Sequence, residues 1–169
     1  MMERTLGLIR DVPDYPQPGV LFKDITPLLA DPAGFAAVVD EISGLFDSDK
    51  IVGIEARGFI LAAPVAYKAQ AGFVPVRKKG KLPAETLEES YDLEYGSATI
   101  EVHRDAFAPG DRVLIVDDVL ATGGTAAATV ELVRRAGAEV VGVAVLMELA
   151  FLKGRERLPG VEVRALLTV

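Results

Sequence analysis

Three features of the sequence predict an α/β fold with a central, mostly parallel sheet flanked by helices. Short β-branched runs alternate with segments that carry helix signals. The chain has 169 residues and is 50% hydrophobic, which is enough to bury one core. Charged residues make up 25% of it, the usual share for a globular protein. Alternation of strand and helix is typical of a parallel sheet covered on both faces.

The N-terminal part of the chain is predicted to be largely irregular. Residues 3–9 are expected to form a short helix, whereas residues 11–19 are rich in proline and predict no regular structure. Asp31 precedes Pro32, and proline is favoured in the first turn of a helix. We therefore expect a helix that starts here and runs to about residue 46.

The middle of the chain is predicted to form a strand, a helix and a second strand, at residues 51–56, 59–70 and 73–77. Residues 78–96 are polar and numerous, and a loop of that length in a compact domain is usually functional. The alternating pattern of residues 99–104 predicts an edge strand.

The last third of the chain is predicted to form three further strands and one helix, at residues 112–119, 140–147, 161–167 and 124–135 respectively. Gly137 is well placed to end the helix. Ligands bind such sheets at the carboxyl ends of the strands, near the reversal of strand order. The loops after Ala56, Arg77 and Val119 are therefore the expected binding region.

Composition argues against several classes of partner. A net charge of −7 disfavours nucleic-acid binding, which needs a basic face. The longest apolar run, residues 140–152, contains Glu148 and is too short to cross a bilayer, so no membrane role is expected. The absence of cysteine fits a reducing compartment, and we expect a cytoplasmic location.

A strand followed by two acids and a glycine loop carries the main functional signal. Asp117 and Asp118 follow the apolar run of residues 113–116, and the loop of residues 121–125 leads into the predicted helix. Paired glycines allow a sharp turn and close approach to a ligand, and a helix start attracts anions. The loop lacks the lysine of a Walker motif and the spacing of a dinucleotide fingerprint. The pattern indicates a phosphate cradle with the acids facing sugar hydroxyls or a cation, the alternative being an ordinary tight turn.

Residues 113–125 resemble the phosphoribosyl pyrophosphate (PRPP) motif of type I phosphoribosyltransferases. The resemblance implies that Asp117 and Asp118 bind the ribose hydroxyls. It implies that the 5′-phosphate is bound by Ala121, Thr122, Gly123, Gly124 and Thr125. It also implies the type I phosphoribosyltransferase fold as a single domain over residues 1–169, with an N-terminal hood at about residues 1–34 and a flexible lid loop at about residues 78–98.

Other segments resemble the adenine-specific members of that family, namely residues 18–27, 54–59, 77–83, 90–96 and 152–156. The resemblance implies an enzyme, a pentosyltransferase of purine salvage, that transfers the phosphoribosyl group from PRPP to adenine and releases AMP and pyrophosphate. Two alternatives stay open. The acceptor base could be xanthine or orotate, or the chain could be a non-catalytic regulator that senses PRPP or purines.

The resemblance also assigns residues to the base. Phe22 is expected to stack on the purine, while backbone groups of Leu21 and Lys23 recognise its amino edge. Many relatives carry arginine where Lys23 stands, which matters little for a backbone contact. Glu94 is expected to act as the acid/base near the imidazole edge of the purine, and Tyr95, a lid residue, to pack against the closed site.

A second anion site is expected for the pyrophosphate. Arg57, Arg77 and Lys81 follow strand ends and can neutralise the leaving group, while a closed lid excludes water from the reacting sugar. The family often has a cis peptide that would fall at Glu55–Ala56. No side-chain cluster resembles a protein-made metal site, so Mg²⁺ is expected to arrive on PRPP and contact the protein mainly through water. The resemblance further implies a homodimer.

Overall fold

The computed structural model describes residues 2–93 and 95–169. By the packing of its backbone the chain divides into two compact units, Met1–Ile42 and Ser43–Val169. Each unit is described by itself below. The N-terminal unit is somewhat longer than the hood of about residues 1–34 that the resemblance implies.

The N-terminal unit contains three helices and a small two-stranded sheet: α1 (Met2–Leu6), β1 (Arg10–Pro13), β2 (Leu21–Asp24), α2 (Thr26–Ala30) and α3 (Pro32–Ser43). β1 and β2 pair antiparallel, so the prediction that residues 11–19 are irregular is wrong at their start. Four-residue strands that pair only with each other are too short to show a period in the sequence. The helix at Pro32 begins where predicted and ends before Gly44 instead of at residue 46.

The second unit alternates strands and helices: β3 (Lys50–Ile54), α4 (Arg57–Ala69), β4 (Gly72–Lys78), β5 (Thr86–Asp92), β6 (Ser97–His103), β7 (Arg112–Leu120), α5 (Gly124–Arg135), β8 (Glu139–Glu148) and β9 (Val163–Thr168). Two 3₁₀ turns, Ala150–Leu152 and Gly154–Arg157, connect the last two strands. α5 has the predicted bounds, and Gly137 follows it in the left-handed conformation with φ 90°.

The strands form one seven-stranded sheet in the order β5-β6-β4-β3-β7-β8-β9. The neighbours β4-β3-β7-β8-β9 pair in parallel, whereas β6 is antiparallel to both β4 and β5. This confirms the predicted α/β class with a mostly parallel sheet. Strand order reverses at β3, whose neighbours are β4 and β7, and Gly53 lies opposite Val116. The residues that follow β3 and β7 therefore meet at the edge where ligands bind such sheets.

The predicted lid loop is largely an antiparallel hairpin. β5 lies inside it, and β6 lies between β5 and β4, so the prediction of residues 99–104 as an edge strand is wrong. β5 is the true edge strand of the sheet. Its polar sequence hid it, since charged side chains are typical of protected edge strands. Arg135 on α5 holds β5 by donating to the Glu88 carbonyl (2.6 Å) and to the Glu89 carboxylate (2.9 Å).

Candidate functional site

The glycine loop of residues 121–125 joins β7 to α5 and lines a pocket of about 90 Å³. Gly123 has φ 88°, and a Cβ on it would lie 2.5 Å from the Gly154 carbonyl oxygen. Only glycine fits there, because the conformation and the space both exclude a side chain. The first hydrogen bond of α5 runs from Ala127 N–H to Gly123 O (2.9 Å), so the N–H groups before Ala127 are not used within the helix. The loop is thus a backbone-lined anion site at a helix start.

A turn between β8 and β9 supports this loop from behind. A Cβ on Gly154 would lie 2.5 Å from the Ala121 carbonyl oxygen, so the two backbones pack directly on each other. Arg155 holds the turn in place. Its Nε lies 2.9 and 2.8 Å from the two carboxylate oxygens of Glu148, and its Nη1 donates to Val163 O at 2.8 Å. The position of the glycine loop therefore depends on an ion pair outside it, whose carboxylate is buried and whose arginine is half exposed.

These supporting residues were not predicted to have a role in the site. The only signal was the resemblance of residues 152–156 to a family segment of unassigned purpose. Glu148 is buried, with 7% of its side chain exposed, and a buried acid needs a partner. The sequence shows the acid but not the arginine that satisfies it.

The acid pair, Asp117 and Asp118, lies near the carboxyl end of β7 beside the start of α4. Asp118 is buried and pairs with Arg57, whose Nε lies 2.9 Å from its Oδ2. Asp117 accepts the Asp118 N–H at 2.9 Å, and a Cβ on Gly58 would lie 2.8 Å from its Oδ1. Burial, followed by the neighbouring Asp118 charge, raises the pKa of Asp117 well above its usual value. A carboxylate that is costly to ionise is stabilised by hydroxyl donors or a cation.

Glu55, directly after β3, is the centre of a cluster of cations. Its carboxylate accepts hydrogen bonds from Arg77 Nε (3.0 Å), from the Lys78 N–H (3.2 Å) and from the Lys81 ammonium. Burial alone would raise the pKa of Glu55, but the hydrogen bonds from Lys81, Lys78 and Arg77 together lower it below its ordinary value. Glu55 was not predicted as a site residue.

The three cations predicted for the pyrophosphate are therefore divided between two acidic acceptors. Arg77 and Lys81 meet at Glu55, whereas Arg57 pairs with the acid pair. Arg57 follows β3, Arg77 lies near the carboxyl end of β4 and Lys81 follows β4; the carboxyl ends of these two strands are neighbours in the sheet. The peptide bond between Glu55 and Ala56 is cis, as the resemblance implies.

The tip of the hairpin carries the predicted lid residues. Glu94 lies outside the described residues. Leu93 N–H donates to Gly96 O at 2.9 Å and closes the turn. Tyr95 is 88% exposed, so its packing against a closed site stays a prediction.

The predicted base-binding residues lie on β2 in the N-terminal unit. Phe22 packs edge-to-face on Tyr15, with ring centroids 5.2 Å apart. Leu21 is 54% exposed, and Lys23 Nζ pairs with Asp11 Oδ1 at 2.6 Å. Leu21 and Lys23 are two positions apart on one strand, so their backbone groups point to the same edge.

In the described part of the chain, no group of three His, Cys, Asp or Glu side chains is placed to hold a metal ion. None of its helices has both the length and the apolar character needed to span a membrane.

Comparison with known proteins connects this geometry to a family. Residues 24–161 match the phosphoribosyl transferase domain model. The adenine phosphoribosyltransferase of Acidothermus cellulolyticus is 68% identical over 170 residues, which cover 99% of this chain and 96% of that protein.

Solved structures agree with the sequence match. A crystal structure of adenine phosphoribosyltransferase from Thermoanaerobacter pseudethanolicus superposes with a TM-score of 0.95 at 46% identity and covers 100% of both chains. The Saccharomyces cerevisiae enzyme, in complex with an imino-altritol bisphosphate and adenine, superposes with a TM-score of 0.92 at 38% identity, covering 98% of this chain and 97% of that one. The chain belongs to the phosphoribosyltransferases and, within them, to the adenine phosphoribosyltransferase family.

Proposed function

We propose that the protein transfers the 5-phosphoribosyl group of PRPP to adenine and releases AMP and pyrophosphate. The observation that carries the proposal is the single strand-to-helix connection that joins the acid pair, of which Asp118 is buried, to a backbone-lined anion pocket. A phosphate and a vicinal diol at a fixed separation, as in ribose 5-phosphate, match that combination. The family supplies the reaction class, which is glycosyl transfer by an enzyme.

The glycine loop binds the 5′-phosphate of the donor through its backbone N–H groups and the hydroxyls of Thr122 and Thr125. Asp117 and Asp118 accept hydrogen bonds from the ribose hydroxyls. Because burial raises the pKa of Asp117, a hydrogen bond donated to its oxygens stabilises the carboxylate more than the same hydrogen bond would in water. This arrangement fixes the sugar and leaves its anomeric carbon open to the base.

Arg57, Arg77 and Lys81 stabilise the pyrophosphate as the bond from C1 of the ribose to its oxygen breaks. Each is already paired with a carboxylate, so the pyrophosphate exchanges one set of ion pairs for another. Magnesium carried by PRPP would supply further charge neutralisation to the same leaving group. Asp117 and Asp118 would be the acids beside such an ion, and a cation there would favour the ionised form of Asp117.

The base is bound by Phe22, which stacks on the ring, and by the backbone of Leu21 and Lys23. Glu94 takes the proton from N9 as that nitrogen bonds to C1, and Tyr95 covers the site when the hairpin tip closes. Supporting this assignment, the relative from Saccharomyces cerevisiae is described with adenine bound and that from Giardia lamblia with 9-deazaadenine.

A steady-state assay with PRPP and a panel of bases tests the proposal. We expect turnover with adenine and little or none with hypoxanthine, guanine, xanthine or orotate, since a backbone donor and acceptor read adenine's amino group and N1. Lack of turnover with adenine, in protein that binds PRPP, would reject the substrate assignment.

Replacing Glu94 with glutamine tests the acid/base role. The amide keeps the shape of the side chain but cannot accept a proton, so kcat should fall by about 10²–10⁴-fold while KM for both substrates changes little. The substitution Glu85→Gln, at an exposed residue just before β5, is a control that should leave kcat unchanged. An unaltered kcat in Glu94→Gln would remove this residue from the chemistry.

We also propose that the protein acts in the cytoplasm, as a single domain and as a homodimer. The family match runs across both structural units, which supports one domain.

The dimer proposal is supported by helix α4. It exposes Ile60, Ala63 and Tyr67 along one face, and Tyr67 is 89% exposed, which is typical of an interface. A Tyr67→Glu variant should therefore lower the mass measured by analytical ultracentrifugation from dimer to monomer.

A further inference from the structure

A tyrosine of the lid hairpin contacts the proposed phosphate site. Tyr91 lies on β5, and its hydroxyl accepts a hydrogen bond of 2.9 Å from the Thr125 hydroxyl. Its ring covers the start of α5, since a Cβ on Gly124 would lie 3.2 Å from Tyr91 Cδ2. Thr125 is a predicted phosphate ligand, whereas no role was predicted for Tyr91.

The strand that carries Tyr91 is attached to α5. Farther along β5, Arg135 donates to the Glu88 carbonyl at 2.6 Å. The hairpin strand is thus attached to α5 near the C-terminal end of the helix by Arg135 and at its N-terminal end by Tyr91. The Tyr91 hydroxyl has little freedom to move away from Thr125.

Phosphate binding changes the hydrogen bond between Tyr91 and Thr125. Each hydroxyl has one proton and can also accept. In the structure Thr125 donates its proton to Tyr91. A phosphate oxygen only accepts, so Thr125 must turn its proton to the phosphate when the donor binds. Tyr91 then becomes the donor to Thr125 Oγ1, and the hydrogen bond between the two residues reverses direction.

We propose that Tyr91 is a positioning residue for the 5′-phosphate, acting through Thr125. It holds the Thr125 hydroxyl toward the loop and supplies the hydrogen bond that Thr125 loses on turning to the phosphate. Through Tyr91, a phosphate bound at the glycine loop is also connected to β5, the strand that leads to the lid tip. The inference rests on the proposed function, because it needs a phosphate at this loop.

The test compares four proteins with the wild type in steady-state assays with PRPP and adenine: Tyr91→Phe, Thr125→Val, the double variant, and Ser90→Ala. Loss of one neutral hydrogen bond predicts that Tyr91→Phe raises KM for PRPP by about three- to tenfold. KM for adenine should stay unchanged. The KM for PRPP of the control Ser90→Ala should also stay unchanged, because this variant loses only the 2.8 Å hydrogen bond to the Thr99 hydroxyl, on the opposite face of the strand from Tyr91. Thermal unfolding checks that all variants fold.

The double variant decides whether Tyr91 acts through Thr125. If it does, the double variant has the same KM for PRPP as Thr125→Val alone. Effects that multiply, or a Tyr91→Phe variant whose KM for PRPP is unchanged while that of Thr125→Val rises, would overturn the inference and leave the proposed function standing. If Thr125→Val itself leaves KM for PRPP unchanged, the phosphate assignment of Thr125 fails and the inference fails with it.

Discussion

The two anion-binding regions of the molecule are built in opposite ways. The glycine loop of residues 121–125 has no charged side chain and relies on backbone groups that close packing holds in place. The region around Glu55 uses long cationic side chains that are already paired with carboxylates. The 5′-phosphate is present in both PRPP and AMP, whereas pyrophosphate must leave. The rigid site thus suits the group that stays, and the exchangeable site suits the group that departs.

Exposure supports this distinction. Arg57, Arg77 and Lys81 have 57, 35 and 46% of their side chains exposed, although the carboxylates of Asp118 and Glu55 that they pair with are 6 and 8% exposed. These cations can therefore turn from carboxylate to pyrophosphate by side-chain rotation alone. The backbone at Gly123 cannot move as easily, because Gly154 lies directly behind it.

The largest expected effect comes from placing a methyl group in the rigid site. In Gly123→Ala the new Cβ would lie 2.5 Å from the Gly154 carbonyl oxygen, so the loop must shift. Because a displacement of about 1 Å can cost 10²-fold in rate, we expect kcat/KM for PRPP to fall by about 100-fold or more. Steady-state kinetics at a temperature where the variant is folded measure the loss.

Gly137→Ala is the matched control. Gly137 has φ 90°, close to the 88° of Gly123, but no atom lies within 4 Å of its added Cβ. It should lose about 1–2 kcal/mol of stability from backbone strain and keep its activity. Equal loss of activity in both variants would show that strain, and not the contact with Gly154, damages the loop.

An intermediate effect is expected at the acid pair. Asp117→Asn weakens a charged acceptor of the ribose hydroxyls, so kcat/KM for PRPP should fall by about 10- to 100-fold. The same change should raise the melting temperature at neutral pH, since it removes a carboxylate whose pKa is raised by burial and by Asp118. Loss of PRPP use together with higher stability would identify Asp117 as a functional acid that the fold alone does not favour.

The raised pKa of Asp117 also determines how the stability gain of Asp117→Asn depends on pH. Because the folded pKa of Asp117 lies above the ordinary 3.8, its ionisation costs stability at pH values above the folded pKa, and the cost disappears as the pH falls through the folded pKa toward 3.8. The gain in unfolding free energy of Asp117→Asn should therefore be larger at neutral pH than in acid and shrink as the pH falls toward 3.8. A gain that is independent of pH would contradict the raised pKa.

The same contrast explains which parts of the site can be predicted from the sequence. The glycine loop can be predicted, because its strand, acids, glycines and helix start are contiguous in sequence. The partners of Glu55 were not, since Arg77 and Lys81 are 22 and 26 residues away and meet it only through the order of β3 and β4. β5 was missed because an edge strand can be polar, and Tyr91 and Gly154 because their contacts are tertiary.

The smallest effect is expected in the exchangeable site. Glu55→Gln removes the carboxylate that holds Arg77 and Lys81, and both cations are partly exposed, so the loss of stability at pH 7 should be ~1 kcal/mol or less. The fall in kcat/KM for PRPP should be smaller than in Gly123→Ala, because Glu55→Gln leaves both cations in place to bind pyrophosphate.

The pH dependence of Glu55→Gln should be opposite to that of Asp117→Asn. Hydrogen bonds from Lys81, Lys78 and Arg77 outweigh burial and lower the folded pKa of Glu55 below the ordinary 4.5. Its contribution to stability is therefore present above 4.5 and is lost as the pH falls through the folded value. Urea unfolding of wild type and variant from pH 7 downward measures this, and the two curves should converge on acidification. A Glu55→Gln variant that is more stable than the wild type at pH 7 would mean that burial, and not the cations, determines the ionisation of Glu55.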